Sequence, residues 1–78
     1  IFYPTQDPPL VEELKLCAAQ PPAAPLPAHR AQALCYAFML CEELELSQIA
    51  LRVSYITQQG DVCAVFDETL TREQLGGV

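Results

Sequence analysis

The sequence predicts an α/β chain of the α+β sandwich type, with one helix packed on a mixed sheet. Three observations predict this fold class. Strand-like runs fall into two groups, each group contains a turn signal, and a long helix-forming segment separates the groups. A chain of 78 residues is long enough for one small domain at most. We therefore expect the order β-hairpin, helix, β-hairpin and the start of a second helix.

The first hairpin consists of a short strand, a proline-rich turn and a longer strand. Residues 1–3 are β-prone, and residues 4–9 include three prolines, which cannot lie inside a sheet ladder. The chain returns to an apolar run at Leu10, and this second strand is predicted to extend to about Cys17. Because the first strand is so short, we expect residues 1–78 to be a single partial domain, excised from a longer protein.

A proline-rich segment connects this hairpin to the main helix. Residues 18–28 contain four prolines among alanines, a composition that favours an extended connection. The segment is either a linker between domains or a long loop inside one domain, and the short β-element before it favours the loop. The helix is predicted from Pro27 or Ala28 to about Leu46, because proline suits the first turn and no glycine or β-branched residue follows. Its middle, residues 33–41, is apolar all round, so we expect it to be covered on more than one side.

The second hairpin carries the clearest strand pattern of the chain. Residues 49–57 alternate, and four side chains share one face: Ile49, Leu51, Val53 and Tyr55. Residues 58–61 supply a turn in which Gly60 is free to adopt a positive φ, and residues 62–66 return as the antiparallel partner. Thr71 and Gln74 fit a capping box, so a second helix is predicted to begin at about Arg72.

The charge balance argues against one class of function. Four basic residues against ten acidic ones give a net charge of −6, whereas proteins that bind phosphates without sequence preference concentrate basic residues. A metal-dependent site for phosphate chemistry is compatible with this charge, because such a site needs clustered carboxylates and the metal supplies the positive charge.

The four cysteines are Cys17, Cys35, Cys41 and Cys63, and their spacing lacks the C-x-x-C pair typical of a zinc site. They are predicted to be small buried hydrophobic residues in a reducing compartment, with Cys35 and Cys41 on different sides of the helix. The chain shows no signal-peptide pattern at its start, and its longest apolar run is too short to span a bilayer. We expect a cytoplasmic protein with no membrane partner.

One stretch, Val11-Glu12-Glu13-Leu14-Lys15, places charges inside an apolar strand. Alternation puts Glu13 and Lys15 on one face and Glu12 on the other. A carboxylate and the backbone carbonyl of Leu14 are oxygen ligands that Mg²⁺ prefers, and a lysine on the same face can activate a water or stabilise developing charge. The alternative interpretation of the same tripeptide is a solvated charge pair worth less than ~1 kcal/mol.

The main helix contains a pattern that pairs with this strand. Gln32 and Tyr36 are four residues apart and share one helical face, within residues 29–38, and Val53-Ser54-Tyr55 follows on the next strand. In this combination the sequence resembles the second half of the PD-(D/E)XK nuclease superfamily, and within it the RecB-like branch, in which a Glu-x-Lys strand precedes a helix carrying Gln-x-x-x-Tyr. The form VEE-hydrophobic-K followed by H-x-AQ-x-x-x-YA is similar to the nuclease-like region of DinG-related bacterial helicases.

The resemblance implies a restriction-endonuclease-like fold and a Mg²⁺- or Mn²⁺-dependent DNA nuclease that serves DNA repair or recombination. Glu13 would be a metal ligand together with the Leu14 carbonyl, and Lys15 would be the catalytic lysine. Gln32 and Tyr36 would face the site from the helix and position DNA or the metal-bound water. The implied partners are DNA and the rest of a parent protein such as a helicase.

The sequence departs from the family in three respects: the family's aspartate, the preceding helix that often carries another acid, and Leu16, where many relatives have Thr or Ser. The family's aspartate lies on the strand before the Glu-x-Lys strand, which here corresponds to residues 1–3, and Asp7 lies in the proline-rich turn. We therefore expect weak metal binding and little cleavage by this chain alone, with an aspartate upstream of Ile1 in an active parent protein. Two alternatives stay open. One is a non-catalytic structural or DNA-guiding module of a helicase, and the other is an unrelated acidic interaction domain in which Glu13 and Gln32 lie far apart.

Overall fold

The computed structural model describes residues 1–17 and 20–76. They form a small α+β domain with a mixed four-stranded sheet and one long helix packed on it, as the sequence predicts. The elements in chain order are β1 (Phe2–Tyr3), β2 (Leu10–Leu16), α1 (Pro27–Leu44), β3 (Gln48–Ile56), β4 (Val62–Thr71) and α2 (Arg72–Gly76).

The sheet has the strand order β1-β2-β3-β4. The β1/β2 and β3/β4 pairs are antiparallel, and each is joined by a turn, whereas β2 and β3 are parallel. A parallel pair needs a crossover connection, and α1 supplies it by packing across one face of the sheet. This crossover places the helix over β3 and beside β2, the strand that carries Glu13 and Lys15.

The core lies between α1 and the sheet. Ala33, Ala37 and Cys41 lie four residues apart along α1, and all three are fully buried. The predicted alternation of β3 is confirmed, because its buried face carries Ile49, Leu51, Val53 and Tyr55. Such small helix residues allow α1 to approach the sheet closely, so large side chains of β3 fill the space between the two layers.

The prediction that the middle of α1 is covered on more than one side is wrong for the residues that the structure describes. Phe38 and Met39 are 41% and 60% exposed, and Cys35 is exposed beside them. The apolar composition misled the prediction because the residues that face the sheet are the smallest ones. The large apolar side chains of this helix lie on its outer side instead.

Several element ends differ from the predictions: β1 begins one residue late, as Phe2–Tyr3, and β3 is shifted by one residue, to Gln48–Ile56. α1 ends at Leu44 instead of about Leu46, where Glu45 adopts a left-handed conformation with φ 54° and its N–H bonds the Cys41 carbonyl. β2 ends at Leu16, one residue early. β4 continues from residue 66 to Thr71, because its second half pairs with residues 48–52 of β3.

The capping box at the start of α2 is confirmed by two hydrogen bonds between Thr71 and Gln74, of 2.8 and 3.2 Å.

The cysteine prediction needs correction. Cys17 and Cys63 form a disulfide, and Cys35 is exposed, so only Cys41 is the small buried residue that was expected. The spacing of the cysteines could not reveal the pair, because the two residues meet only when β2 and β4 flank the end of β3. Cys35 and Cys41 do lie on different sides of α1, as predicted.

Across the described residues, no helix has the length and apolar character needed to cross a membrane.

Candidate functional site

Glu13 and Lys15 lie on the face of β2 that meets α1. The Lys15 Nζ atom is 3.4 Å from the Glu13 Oε2 atom and donates a hydrogen bond of 2.8 Å to the Gln32 Oε1 atom. The side chains of Lys15 and Glu13 are 26% and 17% exposed. We call Glu13, Lys15 and Gln32 the β2–α1 cluster. Two stretches that are separated in sequence therefore meet at one lysine, which connects the sheet to the helix.

The strand register explains where the cluster lies. The parallel pairing aligns Glu13 with Val53 and Lys15 with Tyr55 of β3, and both of these partners are buried. Since aligned residues of neighbouring strands face the same side of a sheet, Glu13 and Lys15 project along the border of the core. Gln32 lies on the adjacent face of α1 and is itself exposed, so the cluster lies where the two layers meet the solvent.

The Tyr55 hydroxyl fixes the start of α1. It accepts the backbone N–H of Leu26 at 3.0 Å and lies 2.9 Å from the His29 Nδ1 atom. Leu26 is the N-cap residue, and its own side chain makes no capping bond. The buried Tyr55 hydroxyl therefore supplies the acceptor for the Leu26 N–H, which has no partner inside the helix. His29 therefore helps to anchor the first turn of the helix. It also sets the position of Gln32, which lies less than one turn further along.

Tyr36 lies one helical turn beyond Gln32 and is 48% exposed. Together with Glu13 it lines an open cavity of about 230 Å³ at the β1 side of the helix. The other lining residues are Ile1, Phe2, Val11 and Leu40. All four predicted side chains thus lie on the same side of the domain. Direct contacts join Glu13, Lys15 and Gln32, whereas Tyr36 shares only the cavity with Glu13.

The Leu14 carbonyl points to the β1 edge of β2. Backbone bonds join Pro9 and Cys17 to β3, whereas both backbone bonds of Glu12 go to Ile1 on the other side. Because alternate residues of a strand direct their N–H and C=O groups to the same edge, Leu14 points the same way as Glu12. The peptide oxygen of Leu14 therefore lies on the side where β1 pairs with β2.

The β1/β2 register also shows what lies opposite Glu13. Ile1 and Glu12 exchange two backbone hydrogen bonds of 2.7 Å. A residue directly before Ile1 in an extended β1 strand would therefore lie across from Glu13, in a non-hydrogen-bonded pair whose side chains approach closely. Asp7 lies in the turn between β1 and Leu10, and Leu10 itself is three residues, or about 10 Å, from Glu13 along β2.

The donor set of the site is small. In the ranges 1–17 and 20–76, no group of three or more His, Cys, Asp or Glu residues is placed to hold a metal ion. The β2–α1 cluster offers one carboxylate, from Glu13, and the Leu14 carbonyl is nearby on the same strand. These are hard oxygen donors of the kind that Mg²⁺ and Mn²⁺ accept, and Mg²⁺ usually keeps several waters as its remaining ligands.

The other three basic side chains also form ion pairs with acids. Arg30 makes two hydrogen bonds to Glu68, of 2.9 and 2.6 Å, and these bonds lower the pKa of the Glu68 carboxyl. Arg52 pairs with Asp67 at 2.6 Å. In addition, Arg72 pairs with Glu42 at 3.0 Å. Each arginine is about two-fifths exposed, so each of these pairs is weak and can exchange for another anion.

Glu12 forms a separate network on the opposite face of the sheet. Its two carboxylate oxygens accept one hydrogen bond each, of 2.9 Å, from the Tyr3 hydroxyl and from the buried Ser54 hydroxyl. The bond to Glu12 raises the pKa of the Tyr3 phenol. Sequence reasoning missed this network, although alternation already placed Glu12 on the face opposite Glu13 and Lys15. The missing information was the pairing of β2 with β3.

No protein-family model, curated protein or solved structure matches this chain. The function must therefore be argued from the geometry of the β2–α1 cluster together with the sequence resemblance.

Proposed function

We propose that the chain is part of a metal-dependent DNA nuclease domain with a restriction-endonuclease-like fold, in a repair or recombination protein such as a helicase. The observation that carries this proposal is the position of Lys15, whose Nζ atom lies 3.4 Å from the Glu13 carboxylate and 2.8 Å from the Gln32 amide oxygen. The resemblance links these residue types, and they are in contact although Gln32 lies on a different element.

Each residue has a defined role in this proposal. Glu13 and the Leu14 carbonyl would hold Mg²⁺ or Mn²⁺, which polarises the phosphate and activates a bound water. Lys15 would stabilise the charge that develops on the phosphate, and its bond to Gln32 holds the ammonium group in place. Tyr36 borders the open cavity beside Glu13, where it can contact a nucleotide.

The charge pattern is consistent with metal-mediated DNA contact. The net charge of −6 gives no general attraction to phosphate. The three arginines nevertheless lie in partly exposed pairs, and Arg30 can exchange a carboxylate for a phosphate at a cost below ~1 kcal/mol. A divalent cation at Glu13 would supply the remaining positive charge.

A second candidate keeps the fold without the chemistry. In it the domain is a structural or DNA-guiding module of a helicase, and Lys15 is a structural link between β2 and α1. Two observations favour this alternative: the β2–α1 cluster contains a single carboxylate, and Lys15 already has two partners. In this case Glu13 and Lys15 serve stability alone.

The test is a nuclease assay with Mg²⁺ or Mn²⁺ on plasmid and single-stranded DNA, for this chain and for any longer protein that contains it. Glu13→Gln and Lys15→Met remove the charges and keep the side-chain length. Each is expected to reduce cleavage by about 10²-fold or more. Glu73→Gln is the matched control, because it makes the same change at an exposed position of α2.

The two candidates give different results in this assay. Cleavage that depends on Glu13 and Lys15, with circular dichroism spectra unchanged in both variants, supports the nuclease. Cleavage that survives both substitutions would refute the catalytic assignment. Absence of cleavage in every form, together with DNA affinity that Glu13→Gln leaves unchanged, would favour the non-catalytic module.

A further inference from the structure

The disulfide between Cys17 and Cys63 lies next to the β2–α1 cluster. Cys17 directly follows β2, two residues after Lys15, and its N–H donates to the Ile56 carbonyl at 2.6 Å. Cys63 lies at the start of β4, and the two Cα atoms are 7.0 Å apart. The bond therefore ties β2 to β4 across the end of β3.

A continuous set of contacts leads from the disulfide to Gln32. Ala64, the neighbour of Cys63, pairs with Tyr55 in β3. The Tyr55 hydroxyl accepts the N–H of Leu26 and so fixes the start of α1, the helix on which Gln32 accepts the Lys15 hydrogen bond. The disulfide and the Tyr55 hydroxyl thus hold opposite ends of the segment that connects β2 to α1.

The disulfide encloses most of the core. Its sequence separation is 46 residues, and the enclosed span contains all of α1 and β3. Cross-linking residues this far apart removes much conformational freedom from the unfolded chain. Because a domain of this size has a small margin of stability, the redox state of one cysteine pair can decide whether the two layers stay packed.

The four cysteines differ in their access to solvent. Cys17 and Cys63 are only partly buried, so a small thiol can reach the disulfide. Cys41 is fully buried, and burial raises the pKa of its thiol, which makes it a poor competitor in thiol exchange. Cys35 is exposed on the outer side of α1. The domain therefore contains one disulfide, one thiol that solvent can reach and one thiol that is buried.

We propose that the Cys17–Cys63 disulfide is a reversible redox switch that controls whether Lys15 contacts Gln32. In the oxidised domain, the end of β2 is fixed beside β3 and the β2–α1 cluster is assembled. Opening the disulfide releases the end of β2 next to Lys15, so that Lys15 can move away from Gln32. This inference concerns the assembly of the cluster and holds whether or not the cluster cleaves DNA.

The switching reaction needs a low-molecular-weight thiol such as glutathione. One thiolate attacks a cysteine sulfur, the protein S–S bond breaks, and the released cysteine thiolate takes up a proton. A second thiolate then attacks the mixed disulfide and frees the other cysteine, which is also protonated. The protein gains two electrons and two protons, and the two small thiols leave as one disulfide. Oxidised glutathione reverses the reaction.

The experiment equilibrates the full chain in mixtures of reduced and oxidised glutathione. Mass spectrometry after alkylation gives the fraction of the Cys17–Cys63 disulfide, and NMR follows the Lys15 ammonium and the Gln32 side-chain amide. We expect the disulfide to open as the proportion of reduced glutathione rises. The signals of the Lys15–Gln32 contact should fall in parallel, and the melting temperature should drop by roughly 10 °C or more.

Two variants make the result specific. Cys35→Ser removes the exposed thiol and should leave the redox dependence unchanged, whereas Cys63→Ser should resemble the reduced chain in every mixture. If the reduced chain unfolds completely, recovery of the Lys15–Gln32 signals on reoxidation supports the switch, and failure to recover them overturns it. The proposal also fails if the disulfide stays closed in a roughly hundredfold excess of reduced glutathione. It fails equally if the disulfide opens while the contact persists.

Discussion

Removal of one buried hydroxyl should loosen the start of α1 and disturb the β2–α1 cluster. Tyr55→Phe keeps the ring in the core and deletes the group that accepts the Leu26 N–H and contacts His29. Each of these hydrogen bonds contributes about 1 kcal/mol, and the Leu26 donor is left unsatisfied, so the free energy of unfolding should fall by about 2 kcal/mol. For a domain of this size, that loss corresponds to roughly 10 °C in melting temperature.

Urea denaturation followed by circular dichroism measures this change. Tyr36→Phe is the matched control, because it deletes the same hydroxyl from a side chain that is 48% exposed, and its effect should stay within about 0.5 kcal/mol. The Gln32 side-chain amide should also shift in NMR spectra of Tyr55→Phe, since Gln32 follows the anchored turn. Equal stability of the two variants would refute the view that Tyr55 holds the helix start.

Two further predictions concern charge. The hydrogen bonds from Arg30 keep the pKa of the Glu68 carboxyl below its ordinary value in the folded domain, so the pair stabilises at neutral pH. This contribution, below ~1 kcal/mol because the pair is exposed, should be lost as the pH falls through that lowered pKa, and urea midpoints of Glu68→Gln should lack this pH dependence. An extension that places an aspartate directly before Ile1 should face Glu13 and tighten Mn²⁺ binding at least about tenfold by calorimetry, whereas the same extension with asparagine should not.

The local patterns of the sequence predicted the elements, whereas the contact between strand and helix was implied by the family resemblance. Alternation alone separated Glu13 from Glu12, and the spacing of four placed Gln32 and Tyr36 on one helical face. These patterns hold because strand and helix periods are set by the backbone within each element. The meeting of Lys15 with Gln32 then needed only the crossover of α1 onto the sheet.

Features that depend on how separate elements align were not predicted. The disulfide requires the end of β2 and the start of β4 to flank the end of β3. The positions of Cys17 and Cys63 in the sequence do not indicate how these three strands align. The outer side of α1 was misjudged for a related reason. Composition cannot show that Ala33 and Ala37 face the sheet while Phe38 faces solvent, because the angular position of a helix is fixed by its packing partner.

The neighbouring acids of β2 show how register assigns different chemistry to identical side chains. Both carboxylate oxygens of Glu12 accept hydrogen bonds, from Tyr3 and from the buried Ser54, so a cation there would have to displace two donors. Glu13 instead contacts Lys15 across 3.4 Å and borders an open cavity. In the proposed nuclease, an arriving cation would have to displace only this one ion pair, whose side chains are about one-fifth exposed. Under the proposed function Glu13, and not Glu12, is therefore the metal ligand, and the bond to Gln32 would keep the displaced Lys15 beside the site.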